Sequence, residues 1–293
     1  MALPSFRLVG LFLILGLSVL LSGCADKALI VQNTVPLLDD MKTAADRNPD
    51  VDMVRDAMPV LLKQLDGLIL SAPDANLLIK TSEAYYNYTN AFVEDTDKER
   101  ASLLYLKARD YSLSELRRYR LFDEALDKPA QEFKKALHVS LDKRDLPFLF
   151  WTAHTWAAWI VINLDKPEAL KDIPKVEAML QYVIELDETY YNGAAHASLG
   201  ALYACRPKTS GGNPQKAKEH FGKAFVISGN SLLSVHLMYA KFYARQIQDR
   251  ELFMKTLEKI TETPANRFPD KAFVNEVARR KAKVLLENVD KYF

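Results

Sequence analysis

Residues 196–225 read HASLGALYACRPKTSGGNPQKAKEHFGKAF, and this stretch decides the fold. Each half carries three small or bulky apolar residues at helical spacing: Leu199, Gly200 and Tyr203 in the first half, and Ala217, Phe221 and Ala224 in the second. A glycine on one helix lets a second helix approach closely, and a face of alanines around an aromatic ring is complementary to it. The stretch therefore predicts two helices packed as a hairpin, with Gly200 opposite Ala217 and Ala224.

The spacings Leu-Gly-x-x-Tyr and Ala-x3-Phe-x2-Ala are those of a tetratricopeptide repeat. Asn213 and Pro214 predict the start of the second helix, because Asn can accept hydrogen bonds from first-turn N–H groups and Pro fits the first helical position. The loop before them, RPKTSGGN, is about five residues longer than the repeat requires. Two interpretations of this loop are open, an elongated turn with a cap and an anion cradle formed by Arg206 and Lys208.

Weaker versions of the pattern occur elsewhere in the chain. They pair Tyr85 with Ala101, Tyr105 and Ala108, Ile160 with Ala178 and Tyr182, and Tyr243 with Leu252 before Pro264. From residue 37 onward nearly every segment has helical apolar periodicity, with breaks at Pro, Asp and Asn, and no hairpin-bounded alternating stretch predicts a sheet. The leading positions are unevenly spaced and a further helix is expected near 129–140. We therefore predict an all-α domain, residues 37–293, of degenerate tetratricopeptide-like hairpins that close into a compact array.

The first 24 residues have the pattern of a lipoprotein signal. Arg7 precedes the apolar run LVGLFLILGLSVLL, and small residues precede Cys24. A permanent membrane helix would need roughly 20 apolar residues. The sequence therefore predicts a signal peptide, residues 1–23, lipidation of Cys24, and a periplasm-facing protein anchored to a bacterial membrane. Residues 24–36 have no strong pattern and are predicted to form a lipidated, extended tether.

Composition and motifs exclude several functions. Cleavage removes Arg7 from the 39 Lys and Arg, so 38 basic residues face 38 acidic ones, and this balance offers no surface for nucleic acid. The five histidines have no metal-ligand spacing, and no Walker loop, dinucleotide fingerprint or nucleophile elbow occurs. We predict no catalytic residues, no metal, no cofactor and no enzyme. A hydrolase would need an acid, a base and a nucleophile that the sequence does not offer, and Cys205 is predicted to be a small buried side chain.

Two aromatic clusters, YYNYTN and FLFWTAHTWAAWI, are the candidate ligand site. In the second cluster Trp156, Trp159 and Asn163 fall within about 60° of one another around a helix. Bulky aromatics interrupted by an amide often line a cleft for an apolar ligand, and they also occur as ordinary core. The residues predicted to line such a cleft are Tyr85, Tyr88, Trp156, Trp159 and Asn163.

Six stretches together resemble the T component of tripartite ATP-independent periplasmic (TRAP) transporters, a TatT-like tetratricopeptide lipoprotein. They are LSGC, SEAYYNYTNAFVED, the FW and TWAAWI segments of one helix, HASLGALYACRP with GGNPQKAKEHF, YAKFYARQIQDRELF and RRKAKVLLENVDKYF. The resemblance implies a homotrimer without catalysis that binds the transporter's periplasmic substrate-binding component. It also implies a cleft for a small hydrophobic ligand. The alternative is a tetratricopeptide scaffold lipoprotein in cell-envelope assembly.

Overall fold

A computed structural model describes residues 22–264 and 267–293, with side chains from Lys27 onward. Helices make up 82% of it, and the described residues contain no strand, as the sequence predicts. The helices are α1 (Ser22–Asp46), α2 (Val51–Ser71), α3 (Ala75–Tyr88), α4 (Lys98–Leu116), α5 (Arg120–Ala125), α6 (Ala130–Ser140), α7 (Leu146–Ile162), α8 (Pro167–Leu186), α9 (Tyr190–Ala204), α10 (Pro214–Ile227), α11 (Leu233–Met238), α12 (Arg250–Glu262) and α13 (Ala272–Glu287). Two π-helical segments, Thr89–Val93 and Tyr239–Ala244, continue α3 and α11.

The helices pair as the repeat pattern predicts, with hairpins α3–α4, α7–α8, α9–α10 and α11–α12. The helix α6 confirms the additional helix expected near 129–140. Side-chain caps mark the starts of the helices. At the start of α10, Asn213 accepts a hydrogen bond from the N–H of Lys216 at 3.0 Å, and at the start of α3, Asp74 accepts one from the N–H of Leu77 at 3.0 Å. Asp97 and Asp249 cap α4 and α12 in the same way. Local capping chemistry therefore fixes where the hairpins begin.

The central helix is α7, which packs on α4 on one side and on α8 on the other. Its sequence, LPFLFWTAHTWAAWIVI, is apolar on almost every face, as expected for a helix with neighbours all around it. Phe150, Trp151 and Ile160 are fully buried. The aromatic run that suggested a ligand site thus forms the middle of the largest core.

The array closes on itself because the last helix returns to the first hairpins. Phe273 and Val277 of α13 pack against Val51 and Val54 of α2, and Phe92 joins this cluster from the first π-helical segment. The ring centroids of Phe92 and Phe273 are 6.0 Å apart. This closure confirms the predicted compact array.

The stretch predicted to be an extended tether is helical instead. Residues 24–36 belong to α1, and Val31 is buried against Leu65 and Leu77. Its apolar residues are divided between two faces, so that they give no single amphipathic stripe in the sequence. Residues 1–21, most of the predicted signal peptide, and the side chain of Cys24 lie outside the described residues. Within the described part of the chain, no helix has both the length and the apolar character needed to cross a membrane.

Gly200 marks the closest approach of α9 and α10. A Cβ atom added there would lie 2.9 Å from Cδ2 and Cε2 of the Phe221 ring. Phe221 sits between Ala217 and Ala224, the two residues predicted to face Gly200, and it is fully buried. Because the ring is enclosed, it cannot move aside for a side chain at position 200.

We expect Gly200→Ala to lower the free energy of unfolding by about 1 to 3 kcal/mol through overpacking. The matched control is Gly222→Ala on α10, where a Cβ meets no atom within 4 Å. That change should stabilise the protein by up to about 1 kcal/mol, because alanine favours a helix over glycine. Urea denaturation measures the free energy of unfolding of both variants. Equal stability of the two variants would contradict the close approach of α9 and α10.

Candidate functional site

The predicted residues of α7 form one buried face against α4. The indole Nε1 of Trp159 donates to Oγ of Ser102 at 2.8 Å, and Nδ2 of Asn163 donates to the same Oγ at 3.1 Å. Asn163 is fully buried and also donates to the carbonyl oxygen of Trp159 at 2.8 Å. These polar groups therefore bind each other and α4.

Trp156, on the same helix, is held between α4 and α8. Its Nε1 donates to Asp172 of α8 at 3.1 Å, and the guanidinium of Arg109 on α4 lies 4.8 Å from its ring centroid. A cation over an indole ring is an attractive contact. Burial raises the pKa of Asp172, although Lys175 and the Trp156 hydrogen bond oppose that effect. Trp156 thus connects three helices.

Tyr85 and Tyr88 lie in a separate cluster between α2, α3 and α4. The hydroxyl of Tyr85 donates to Asp66 at 2.9 Å, Tyr111 donates to Asp66 at 2.6 Å, and Nζ of Lys107 lies 2.8 Å from the same carboxylate. Partial burial raises the pKa of Asp66, but the hydrogen bonds from Lys107, Tyr111 and Tyr85 outweigh it and lower the pKa to about 2. This carboxylate is ionised at neutral pH and holds α2 to α4.

The structure therefore brings three of the five predicted residues together and places the other two elsewhere. All five are buried: Tyr85, Tyr88, Trp156, Trp159 and Asn163. Packing and hydrogen bonds within the chain account for their positions. Contact of these five side chains with a ligand stays a prediction.

A second site was missed from the sequence, at the two π-helical segments. The segments face each other, because Nζ of Lys241 in the second lies 2.9 Å from Glu94 and 3.3 Å from Asp95, just after the first. Nζ of Lys281 on α13 donates to the carbonyl oxygen of Asn90 at 2.5 Å and lies 2.5 Å from Asp95. Single-turn π-helices are rare and are frequent at functional sites. Nothing in the helical apolar periodicity distinguishes them from α-helix.

The charges between the π-helical segments are balanced. Burial raises the pKa of Glu94, but Lys241 and Lys281 outweigh it, so the net shift is downward. Burial lowers the pKa of Lys241, and Glu94 and Asp95 reverse that shift. Tyr105 donates a further hydrogen bond to Glu94 at 2.5 Å. Two lysines and two carboxylates therefore form a neutral cluster, which we call the closing cluster: Glu94, Asp95, Lys241 and Lys281.

An aromatic wall adjoins the closing cluster. The ring of Tyr86 lies 4.4 Å from His154 and 5.9 Å from Trp151, and Tyr191 lies 4.9 Å from Trp151. Trp151 and His154 are buried, whereas Tyr86 and Tyr191 keep partial exposure, so the wall reaches solvent only at these two rings. Burial lowers the pKa of His154 to about 3, and its Nδ1 lies 2.7 Å from Oγ of Ser198. The wall is therefore uncharged at neutral pH.

A left-handed turn positions one part of this wall. Tyr191, Asn192 and Gly193 have φ values of 48°, 57° and 73°, which are unfavourable for the two residues with a Cβ atom. The hydroxyl of Tyr191 donates to the buried Glu83 at 2.5 Å. Strained backbone of this kind concentrates at ligand and switch sites. We call Tyr86, Trp151, His154 and Tyr191, together with the closing cluster, the aromatic site.

The fold and site define a class, a closed array of tetratricopeptide-like hairpins that contains the aromatic site. Among the described residues, no group of three or more His, Cys, Asp or Glu side chains could hold a metal ion. The loop that suggested an anion site is an ordered turn, because Arg206 donates to Leu202 O at 3.0 Å and to Glu177 at 2.8 Å. Burial raises the pKa of the Cys205 thiol to about 12, consistent with a small unreactive side chain.

The family model for the TRAP transporter T-component matches residues 47–293, and the chain belongs to that family. The resemblance seen in the sequence is thereby confirmed. An uncharacterized protein of Treponema pallidum (strain Nichols) is 24% identical over 262 residues, which cover 83% of this chain and 80% of the relative. The family is one of transporter components rather than enzymes.

We expect Lys241→Met to destabilise the protein by about 2 to 3 kcal/mol, because it leaves the Glu94 carboxylate, whose side chain is only 11% exposed, with only Lys281 as a counter-charge. The matched control is Lys223→Met, since Lys223 is more than half exposed and pairs with Glu188 on the surface. That change should cost less than about 1 kcal/mol. Thermal unfolding of both variants tests this, and equal losses would show that the closing cluster contributes no more than a surface pair.

Proposed function

We propose that this protein binds the periplasmic substrate-binding component of a TRAP transporter and holds a small, mainly apolar ligand at the aromatic site, in an interior cleft between its rings and the closing cluster. Membership of the T-component family supports the transport role. The proposal of a ligand rests on the aromatic wall, in which partly exposed Tyr86 and Tyr191 lie against buried Trp151. Aromatic surface inside a protein is costly to leave in water, and a ligand or partner is its usual cover.

The chemistry of the cleft selects the kind of ligand. The wall is uncharged because His154 is neutral, and the closing cluster carries equal numbers of positive and negative groups. A strongly charged ligand would find no excess opposite charge there. A compact apolar molecule with one polar end fits both surfaces, with its apolar part on the rings and its polar end toward Glu94 and Lys241.

The location follows from the N-terminal sequence. We propose that the protein is cut before Cys24, carries lipid on that cysteine and faces the periplasm, where the substrate-binding component is found. A homotrimer, implied by the resemblance, is the proposed assembly. Lipidated Cys24 would keep the protein at the membrane while the helical array meets its soluble partner.

Purification from membranes should recover the substrate-binding component with the protein. Native mass spectrometry of the same sample should give a trimer and a small-molecule mass released on unfolding. The control is Cys24→Ser, which should yield a soluble, folded protein that still binds the partner. A Cys24→Ser protein that remains wholly in the membrane fraction would contradict the anchor, and a partner that never co-purifies would contradict the transport role.

Two variants, one of a tyrosine and one of a tryptophan, distinguish residues that line the proposed cleft from residues of the core. Tyr86→Ala should abolish the released ligand and cost less stability than Trp156→Ala, because Tyr86 is partly exposed. Trp156→Ala should cost about 3 to 5 kcal/mol, because Trp156 fills a buried position between α4 and α8. Ligand release and urea unfolding are measured on both. If Trp156→Ala instead loses ligand at nearly unchanged stability, Trp156 lines the site as predicted from the sequence.

A further inference from the structure

The helix α1 has two apolar faces, and the fold covers one of them. Val31 is buried, and Val35 and Leu38 pack beside it on α2 and α3. A second set of large apolar side chains on α1 is 42–59% exposed, and it consists of Leu29, Ile30, Leu37 and Met41. A helix that is apolar on two faces requires a partner on each.

The exposed set includes an aligned stripe. Around the helix axis Ile30, Leu37 and Met41 project within about 40° of one another, and along the axis they cover roughly 16 Å. Single exposed apolar residues are ordinary, whereas an aligned row is typical of a contact surface. We call Ile30, Leu37 and Met41 the α1 stripe.

We propose that the α1 stripe lies on the lipid surface of the membrane that anchors Cys24. This inference rests on the proposed lipidation. Because α1 begins at Ser22, no flexible chain separates Cys24 from the stripe, and Ile30 lies only about 9 Å along the helix from the anchored residue. The acyl chains on Cys24 therefore bring the first turns of α1 to the headgroup region, and the apolar stripe continues that contact.

Charge identifies the kind of lipid surface. The helix α1 contains two lysines and four aspartates, so anionic lipids would repel it. Asp39 is paired with Lys80, and Lys42 with Asp46. The contact therefore depends on apolar side chains at a neutral phospholipid surface, and salt should affect it little. The family match begins at residue 47, which leaves α1 outside the matched array.

Fluorescence quenching by brominated lipid tests this directly on the lipoprotein purified from membranes. A bimane label is placed at Leu37→Cys on the stripe, or at Val226→Cys on α10 as the matched control, since Val226 is 79% exposed. The lipid on Cys24 blocks labelling there, and burial raises the pKa of Cys205 to about 12 and suppresses it at that thiol. The vesicles are phosphatidylcholine with bromine near the headgroup end of the acyl chains.

Bimane at position 37 should be quenched at least about twofold, with little change at position 226, and added salt should not reverse the effect. Flotation with the vesicles checks the anchor independently. If the protein floats but both labels respond equally, the inference fails while the proposed anchor stands. If position 37 cross-links to a second copy and is not quenched, the α1 stripe is an interface between copies, and the inference fails. Failure to float would overturn the anchor and the inference together.

Discussion

The closure of the helical array is the constraint on which the rest of the structure depends. Phe273 and Val277 of the last helix cover Val51 and Val54 near the start, and Phe92 joins them beside the closing cluster. An open repeat array contacts only neighbouring units and has two exposed ends. Here the two ends cover each other, and the same closure brings the two π-helical segments together at the closing cluster.

The two kinds of contact in the closure have different physical roles. The apolar pairs supply area removed from water. The closing cluster contributes geometry, because Lys241 reaches Glu94 across 147 residues of sequence and must satisfy two carboxylates at once. A buried ion pair adds little net stability compared with apolar packing, but removing one partner is costly. The cluster therefore fixes how the two π-helical segments face each other.

Local patterns were sufficient to predict the hairpins. The Leu199 to Ala224 spacing and the caps at Asn213 and Asp74 depend on residues within a few turns of each other, so periodicity and capping rules apply directly. The helical N-terminal segment was missed because its apolar residues serve two faces. The sequence could not show how Trp159 is buried, because its hydrogen-bond partner Ser102 lies 57 residues away in sequence. The aromatic site depends on π-helical segments and a left-handed turn, which resemble ordinary helix in sequence.

The three tryptophans allow the closure to be tested in one measurement, because Trp151, Trp156 and Trp159 all lie on α7, and none belongs to the apolar cluster that joins the two ends. Urea unfolding is followed on one sample by tryptophan fluorescence, which reports the centre, and by far-ultraviolet circular dichroism, which reports all helices. A closed array predicts that the two transitions coincide, because its ends are part of the same cooperative unit. Loss of helical signal at clearly lower urea than loss of the buried tryptophan signal would mean that the ends unfold separately, and would contradict the closure.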